Sequence, residues 1–330
     1  MSYGTAGTEP AGVGARWSAV RRFAGYGAAA TLSLYLVVKV IWVLAALTGG
    51  GASGAGNWVA LNAVTVGMAA VGIALGLALA QPWGRRIPAA PLLLAAWTGA
   101  GFLVPMLPYL VANAVLGAAG AGGAEGSASG GVVAIPAWEG VFITIGFAGM
   151  AAGLAAGLPI YMRERWPHAF LGRLGDGPGP PRSPYATRVA AAVAFALGSS
   201  WLYWALGGTL GLAPAHRGMG VNERLLSGNW ALWAFAGAWS IWVITSPRHT
   251  GRTPVWVPLS LAFTASGSLF AWGCWKLSVA VLRPVGYVPE EHPVVAVVQH
   301  ALAIGAGAAM MAGIVRTCRE RAAGRVSPRR

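Results

Sequence analysis

The sequence has few charged residues, a single aspartate and two cysteines. Only 10% of its 330 residues are charged, against roughly 25% in a typical soluble domain, and 56% are hydrophobic. Water therefore cannot be the solvent for most of the surface, and the composition indicates a membrane protein. Asp176 falls between apolar stretches, which argues against carboxylate-paired prenyl chemistry within the membrane. Cys274 and Cys318 lie at different predicted depths, which argues against a disulfide.

The motifs of several enzyme classes are also missing. The sequence has no Gly-x-x-x-x-Gly-Lys-Ser/Thr loop, no His-Glu-x-x-His and no Gly-x-Ser-x-Gly. These absences argue against nucleotide hydrolysis, zinc proteolysis and the serine hydrolase elbow. We predict no cofactor and no metal, and the balance favours a protein that is not an enzyme.

Eight apolar stretches are long enough to cross a bilayer as helices. A hydrocarbon core of about 30 Å requires roughly 20 residues of helix. The stretches are 27–48, 58–82, 88–117, 132–160, 188–213, 230–246, 255–282 and 293–315, of which 230–246 is the shortest. The sequence therefore predicts an all-α transmembrane bundle of about eight spans in the lipid bilayer.

The arginines alternate between the predicted connections. One side of the membrane receives eighteen of them, whereas the other receives only Arg217, Arg224 and Arg283. By the positive-inside rule, both termini are predicted to be cytoplasmic in a multi-pass protein of the cell membrane. The formal charge of +14 is thus a topology signal, and no nucleic-acid partner is predicted.

The two halves of the chain resemble each other at corresponding places. Asn57-Trp58 and Asn229-Trp230 open the second and sixth spans, and 162–165 (Met-Arg-Glu-Arg) matches 318–321 (Cys-Arg-Glu-Arg). We predict two parallel four-helix repeats, although positive-inside bias alone also creates such matches. We predict a disordered cytoplasmic N-terminal tail (1–24) and a first half (25–162). A cytoplasmic Pro/Gly linker (163–187), a second half (188–316) and a basic cytoplasmic tail (317–330) follow.

One segment of the second half carries a recognisable signature. Tyr203-Trp204-Ala205-Leu206-Gly207-Gly208 resembles the first-span signature of an uncharacterised family of small four-span bacterial membrane proteins. Ile41-Trp42-Val43-Leu44 keeps only the Trp and Leu of it, so the second half is the better match. The resemblance implies a tandem duplication of a four-span unit, and it implies no activity.

Four ionisable residues fall inside predicted spans, where a charge costs about 2.5–3.5 kcal/mol. Lys39, Glu139, Lys276 and His300 all lie in the outer half of the membrane by the predicted orientation. We predict that they form an outward-facing polar cavity for an anionic or polar small molecule, with the lysines as its charge partners. The predicted walls include Trp201, Tyr203, Trp204 and Trp272.

Each of these residues also has a structural interpretation. The lysines could extend to the lipid headgroups, Glu139 could pair with Lys39, and His300 could bond a neighbouring helix. The tryptophans could be interfacial anchors. Gly149, Gly153 and Gly157 have the spacing of a helix-packing face or a homodimer seam.

Three functional hypotheses follow from these residues. The first is a non-enzymatic membrane protein whose cavity binds a small molecule, a lipid or a membrane partner. The second is a secondary transporter, for which Pro105 and Pro108 supply the strongest candidate for a broken helix. The third is a membrane-embedded enzyme that uses Glu139 and His300, which requires both residues in one cavity.

Overall fold

The computed structural model of the chain is a bundle of long helices. It describes residues 13–48, 56–120, 137–174, 185–246, 253–283 and 290–326. It is 86% helical, and no strand occurs in these ranges, which confirms the predicted all-α polytopic bundle. The helices are α1 (Ala15–Leu47), α2 (Gly56–Ala80), α3 (Ala89–Leu103), α4 (Met106–Ala118), α5 (Ala137–Arg165), α6 (Pro167–Phe170), α7 (Tyr185–Ala205), α8 (Val221–Thr245), α9 (Trp256–Leu282) and α10 (Pro293–Val326).

Six stretches are long and apolar enough to cross a membrane. They are Ala15–Ala45, Asn62–Ala80, Ala89–Ala118, Trp138–Arg165, Trp256–Leu282 and Pro293–Ala323. Helices α7 and α8 have the length of a span, but their Trp, Ser, Gly and Asn residues reduce their apolar character. The protein is thus a multi-pass membrane protein, and the count of eight spans stays a prediction.

Several helices begin or end away from the predicted limits. Helix α1 begins at Ala15 and α10 continues to Val326, so residues 15–24 and 317–326 are helical rather than tail. Helix α8 begins at Val221, earlier than predicted, because hydropathy does not detect its polar first turn. At this end the Gly220 N–H donates to the Glu223 carboxylate at 2.9 Å. Residues 1–12, 175–184 and 327–330 of the predicted tails and linker lie outside the described residues.

The Tyr-Trp-Ala-Leu-Gly-Gly signature forms the end of α7, eight residues before the predicted end of its span. Gly207 has a φ of +99°, and the Gly208 N–H donates to the Tyr203 carbonyl, as in a glycine C-cap. A Cβ at Gly208 would lie 2.2 Å from the Tyr203 ring. The Trp204 indole N–H donates to the Leu210 carbonyl at 2.8 Å. The signature therefore encodes a helix stop and the loop that follows it.

The predicted third span is interrupted in its middle. Helix α3 ends at Leu103 and α4 begins at Met106, with Pro105 between them. Pro105 and Pro108 lack the N–H groups that a continuous helix would use, which explains the break. Helices α3 and α4 then pack mainly on α9 and α8 of the second half, rather than on the rest of the first half.

The remaining helices of the first half pack around α1. A Cβ at Gly149 would lie 2.3 Å from the Thr31 hydroxyl, and one at Gly153 would lie 2.5 Å from the Ala28 methyl group. The glycine face of α5 is therefore covered by α1, which confirms its role in packing. In the second half, α7, α8, α9 and α10 form a closed ring in which each helix contacts both neighbours.

A buried ion-pair network ties α1 to α5 at the arginine-rich end of the bundle. The Glu164 carboxylate lies 3.0 Å from Arg21 and 2.6 Å from Arg85, and accepts a hydrogen bond from the Ser18 hydroxyl at 2.7 Å. The Arg21 guanidinium also donates to the Leu79 carbonyl of α2. The side chains of Arg21 and Glu164 are only 8% and 7% exposed, so this network fixes three helices around one carboxylate.

Candidate functional site

The helices alternate in direction, which sets the depth of the predicted site residues. Gly25 of α1 meets Gly76 of α2, whereas Lys39 meets Asn62, so these two helices are antiparallel. Contacts between α1 and α5 and between α9 and α10 run antiparallel in the same way. Lys39, Glu139, Lys276 and His300 consequently lie toward one end of the bundle, opposite the network around Glu164. The structure groups them into two separate clusters.

The first cluster belongs to the first half. The Lys39 ammonium donates to the Asn62 side chain at 2.9 Å and lies 4.1 Å from the centre of the Trp42 ring. Glu139 is buried close enough to interact electrostatically with Lys39, and its Oε2 atom has no hydrogen-bond partner among the described residues. Asn62 and Trp42 are therefore the close contacts of the Lys39 ammonium, and the predicted ion pair with Glu139 is not formed among the described residues.

The second cluster joins α9, α10 and the segment before α10. The Lys276 ammonium lies 3.4 Å from carboxylate oxygens of both Glu290 and Glu291, and the His300 Nε2 atom lies 3.6 Å from Glu291. Backbone pairing between Leu212 and Glu291 holds this segment against the loop after α7. Two carboxylates, one ammonium and one imidazole therefore meet at this end of the second half.

Glu291 is the most strongly perturbed acid of this cluster. Burial alone would raise its pKa, but the Lys276 charge and the hydrogen bond and charge of His300 lower the pKa from 4.5 to about 2. Its side chain is only 4% exposed. The carboxylate is therefore held ionised inside the protein by its two neighbours.

A small cavity lies directly beside the second cluster. Four tryptophans, Lys276 and His300 are among the residues that line it. The lining residues are Trp201, Trp230, Trp233, Ala234, Ala265, Ser268, Leu269, Trp272, Gly273, Lys276, His300 and Ala303. Its volume of about 20 Å³ has room for about one water molecule. Entry of anything larger requires a wall side chain to move.

Two of the wall tryptophans are fixed to the break in the third span. The Trp272 indole N–H donates to the Phe102 carbonyl at 3.1 Å, and the Trp233 indole N–H donates to the Pro105 carbonyl at 3.2 Å. By contrast, the buried indole N–H of Trp230 has no acceptor among the described residues, and both amide atoms of the neighbouring Asn229 also lack partners. Each such group costs about 1–3 kcal/mol if it stays unsatisfied.

The structure places the eight predicted site residues in three locations. Lys276, His300, Trp201 and Trp272 line the cavity, Lys39 and Glu139 form the first-half cluster, and Tyr203 and Trp204 belong to the end of α7. Sequence reasoning missed Glu290, Glu291, Trp230 and Trp233. The two glutamates precede α10 by only a few residues, and that position next to a span was the available signal for a pairing with Lys276.

No protein-family model, curated protein or solved structure matches this chain.

The acid dependence of stability provides a test of the Glu291 assignment. Because the folded-state pKa of Glu291 lies below its usual value, its contribution is complete above pH 4.5 and is lost as the pH falls toward 2. We expect Glu291→Gln to lower the melting temperature by several degrees at pH 7 and to flatten its fall between pH 5 and 3. The more exposed neighbour supplies the control, Glu290→Gln, for which we expect a smaller effect. Identical acid profiles for wild type and Glu291→Gln would contradict the assignment.

Proposed function

We propose that this integral membrane protein is not an enzyme and binds a small molecule in the cavity of its second half. The observation that carries the proposal is the Trp230 indole, which lines the cavity with its buried N–H unpartnered among the described residues. A bound molecule with a hydrogen-bond acceptor would satisfy this group. The tryptophan walls would supply apolar contact, and Lys276 and His300, which lie beside Glu291, would supply the polar end.

We further propose that the cavity faces outward, in a bundle of eight spans with both termini in the cytoplasm. The support is the arginine distribution, since the cavity lies at the end of the bundle away from the arginine-rich connections. The antiparallel packing of α1 on α2, of α7 on α8 and of α9 on α10 is compatible with two four-span units.

Secondary transport is the second candidate, and the interrupted third span favours it. Broken helices at a central site are typical of transporters, and carbonyls at the α3–α4 break are bound by two tryptophans of the cavity wall. The enzyme hypothesis has less support, because the lining of the cavity includes His300 but not Glu139.

Native mass spectrometry of the protein released from detergent tests the binding proposal. We expect a bound adduct on the wild type, and its loss in Ser268→Leu, which fills the cavity from α9. Ser199→Leu makes the same change on the exposed face of α7 and should retain the adduct. A folded Ser268→Leu variant that carries the same adduct as the wild type would place the ligand elsewhere. A lipid mass lost from both variants would indicate annular lipid and would also contradict the proposal.

A further inference from the structure

The ligand class can be narrowed by the charges around the cavity. We infer that the cavity binds a small organic cation that also carries a hydrogen-bond acceptor. This inference rests on the proposed binding function, and it replaces the anionic or polar molecule that the sequence predicts, with the lysines as its charge partners, by a cation.

The charge balance of the second cluster disfavours an anion. Lys276, the expected partner of an anionic ligand, already lies between Glu290 and Glu291. The cluster thus holds two carboxylates for the one lysine ammonium. A bound cation would be attracted by both carboxylates, whereas an anion would have to compete with them for one lysine.

The contacts within the cluster leave the carboxylates able to accept another donor. The distances from Lys276 to Glu290 and Glu291 are 3.4 Å, and the distance from His300 to Glu291 is 3.6 Å. Close charge-assisted hydrogen bonds measure about 2.7–2.9 Å. The carboxylate of Glu291 thus lies near Lys276 and His300 without a short hydrogen bond to either of them.

The tryptophan wall is suited to a cation. Indole is the best aromatic partner for an ammonium group, which the negative face of the ring attracts. The first half of the same protein shows this chemistry, because the Lys39 ammonium lies 4.1 Å from the centre of the Trp42 ring. In the second half, four indoles line the cavity together with Lys276, whose ammonium lies 3.4 Å from carboxylate oxygens of both glutamates.

The Trp230 side chain can open the cavity by moving, and its indole N–H is the second group that recognises the ligand. Trp233 and Trp272 are fixed by hydrogen bonds to the third span, whereas the Trp230 ring packs on Trp272 at 4.9 Å with its N–H unpartnered. Movement of Trp230 therefore breaks no hydrogen bond to the described residues and enlarges the cavity. Once a ligand is bound, the same N–H would donate to a hydroxyl or carbonyl oxygen, which specifies the acceptor.

Three probes of matched shape separate charge from size. Choline is a cation with a hydroxyl group, 3,3-dimethylbutan-1-ol is its neutral carbon analogue, and 3,3-dimethylbutanoate is an anion of similar size. Calorimetric titration of the full-length protein in an uncharged detergent would measure each affinity. We expect choline to bind about tenfold more tightly than the alcohol, and the anion to bind most weakly.

Two variants locate the binding. We expect Trp230→Phe to weaken choline binding about tenfold, because it removes the indole N–H and the stronger aromatic partner. Trp242→Phe makes the same change on the exposed face of α8 and should leave the affinity unchanged. Glu291→Gln should weaken choline more than the alcohol, since only choline is charged.

The outcomes distinguish this inference from the proposal beneath it. If the alcohol or the anion binds more tightly than choline and loses affinity in Trp230→Phe, the ligand is not a cation, although it still binds in the cavity. Choline affinity that is equal in Trp230→Phe and the wild type would overturn the inference by locating choline elsewhere. If no probe binds the wild type, the cation inference fails, and the adduct experiment with Ser268→Leu decides the binding proposal separately.

Discussion

Gly101→Ala is expected to destabilise the protein by about 3 kcal/mol or more, although it adds a single methyl group. A Cβ at Gly101 would lie 2.1 Å from the carbonyl carbon of Gly267 and 2.6 Å from the Ser268 nitrogen. These atoms are backbone, so no side chain can rotate away, and α3 must separate from α9. That separation would also loosen the hydrogen bond from the Trp97 indole to Ser266 and the stacking of Trp97 on Phe270.

The control for this substitution lies two residues away on the same helix. A Cβ at Gly99 would meet only the Leu75 and Leu154 side chains, at 3.7 and 3.9 Å, which is ordinary contact. Gly99→Ala should therefore be neutral or stabilising, since alanine favours helix more than glycine does. Melting followed by size-exclusion chromatography in detergent would measure both variants. Equal melting temperatures for the two would show that α3 and α9 do not cross at Gly101.

Glu164→Gln is expected to cost about 3–5 kcal/mol, because it leaves the buried Arg21 guanidinium without its counter-charge. The carboxylate receives contacts from Arg21, Arg85 and Ser18, and a neutral amide cannot accept from all three. Conversely, Arg21→Met combined with Glu164→Leu should recover part of the loss, since replacement of a whole buried pair by apolar groups is often tolerated.

The matched control lies at the corresponding position of the second half. Glu320 follows an arginine and precedes another, as Glu164 does, but its partner Arg316 is 51% exposed. We expect Glu320→Gln to cost about 0.5 kcal/mol or less, as for other exposed helical pairs. The yield of monodisperse protein and its melting temperature would compare the two substitutions. A loss as large for Glu320→Gln as for Glu164→Gln would show that burial does not determine the contribution of this motif.

Features of the fold that depend on neighbouring residues could be predicted from the sequence, whereas features that depend on distant contacts could not. Apolar stretches located the long helices because bilayer thickness sets their length, and the glycine spacing of α5 correctly indicated close packing. The polar first turn of α8 escaped detection because capping by Glu223 is not visible to hydropathy. The break of the third span at Pro105 could be predicted, but the packing of α3 and α4 on helices of the second half could not.

The site itself was only partly predictable. An intramembrane Lys276 and His300 stand out in an apolar stretch, whereas Glu290 and Glu291 look like ordinary loop residues until the chain folds back. The tryptophans could not be sorted by sequence, because cavity wall, cap and lipid-facing positions all occur at helical spacing. Trp204 became part of the α7 cap, while Trp230 became a cavity wall with no hydrogen-bond partner among the described residues.

The displacement of α3 and α4 onto the second half also constrains biogenesis. When the ribosome has delivered only the first half to the membrane, the surface of α3 that carries Trp97 and Gly101 has not yet met α9, which is synthesised more than 150 residues later. This surface of α3 must therefore contact lipid or an insertion chaperone until α9 has been synthesised and inserted. A fragment that ends before α7 would therefore lack the main packing partner of α3.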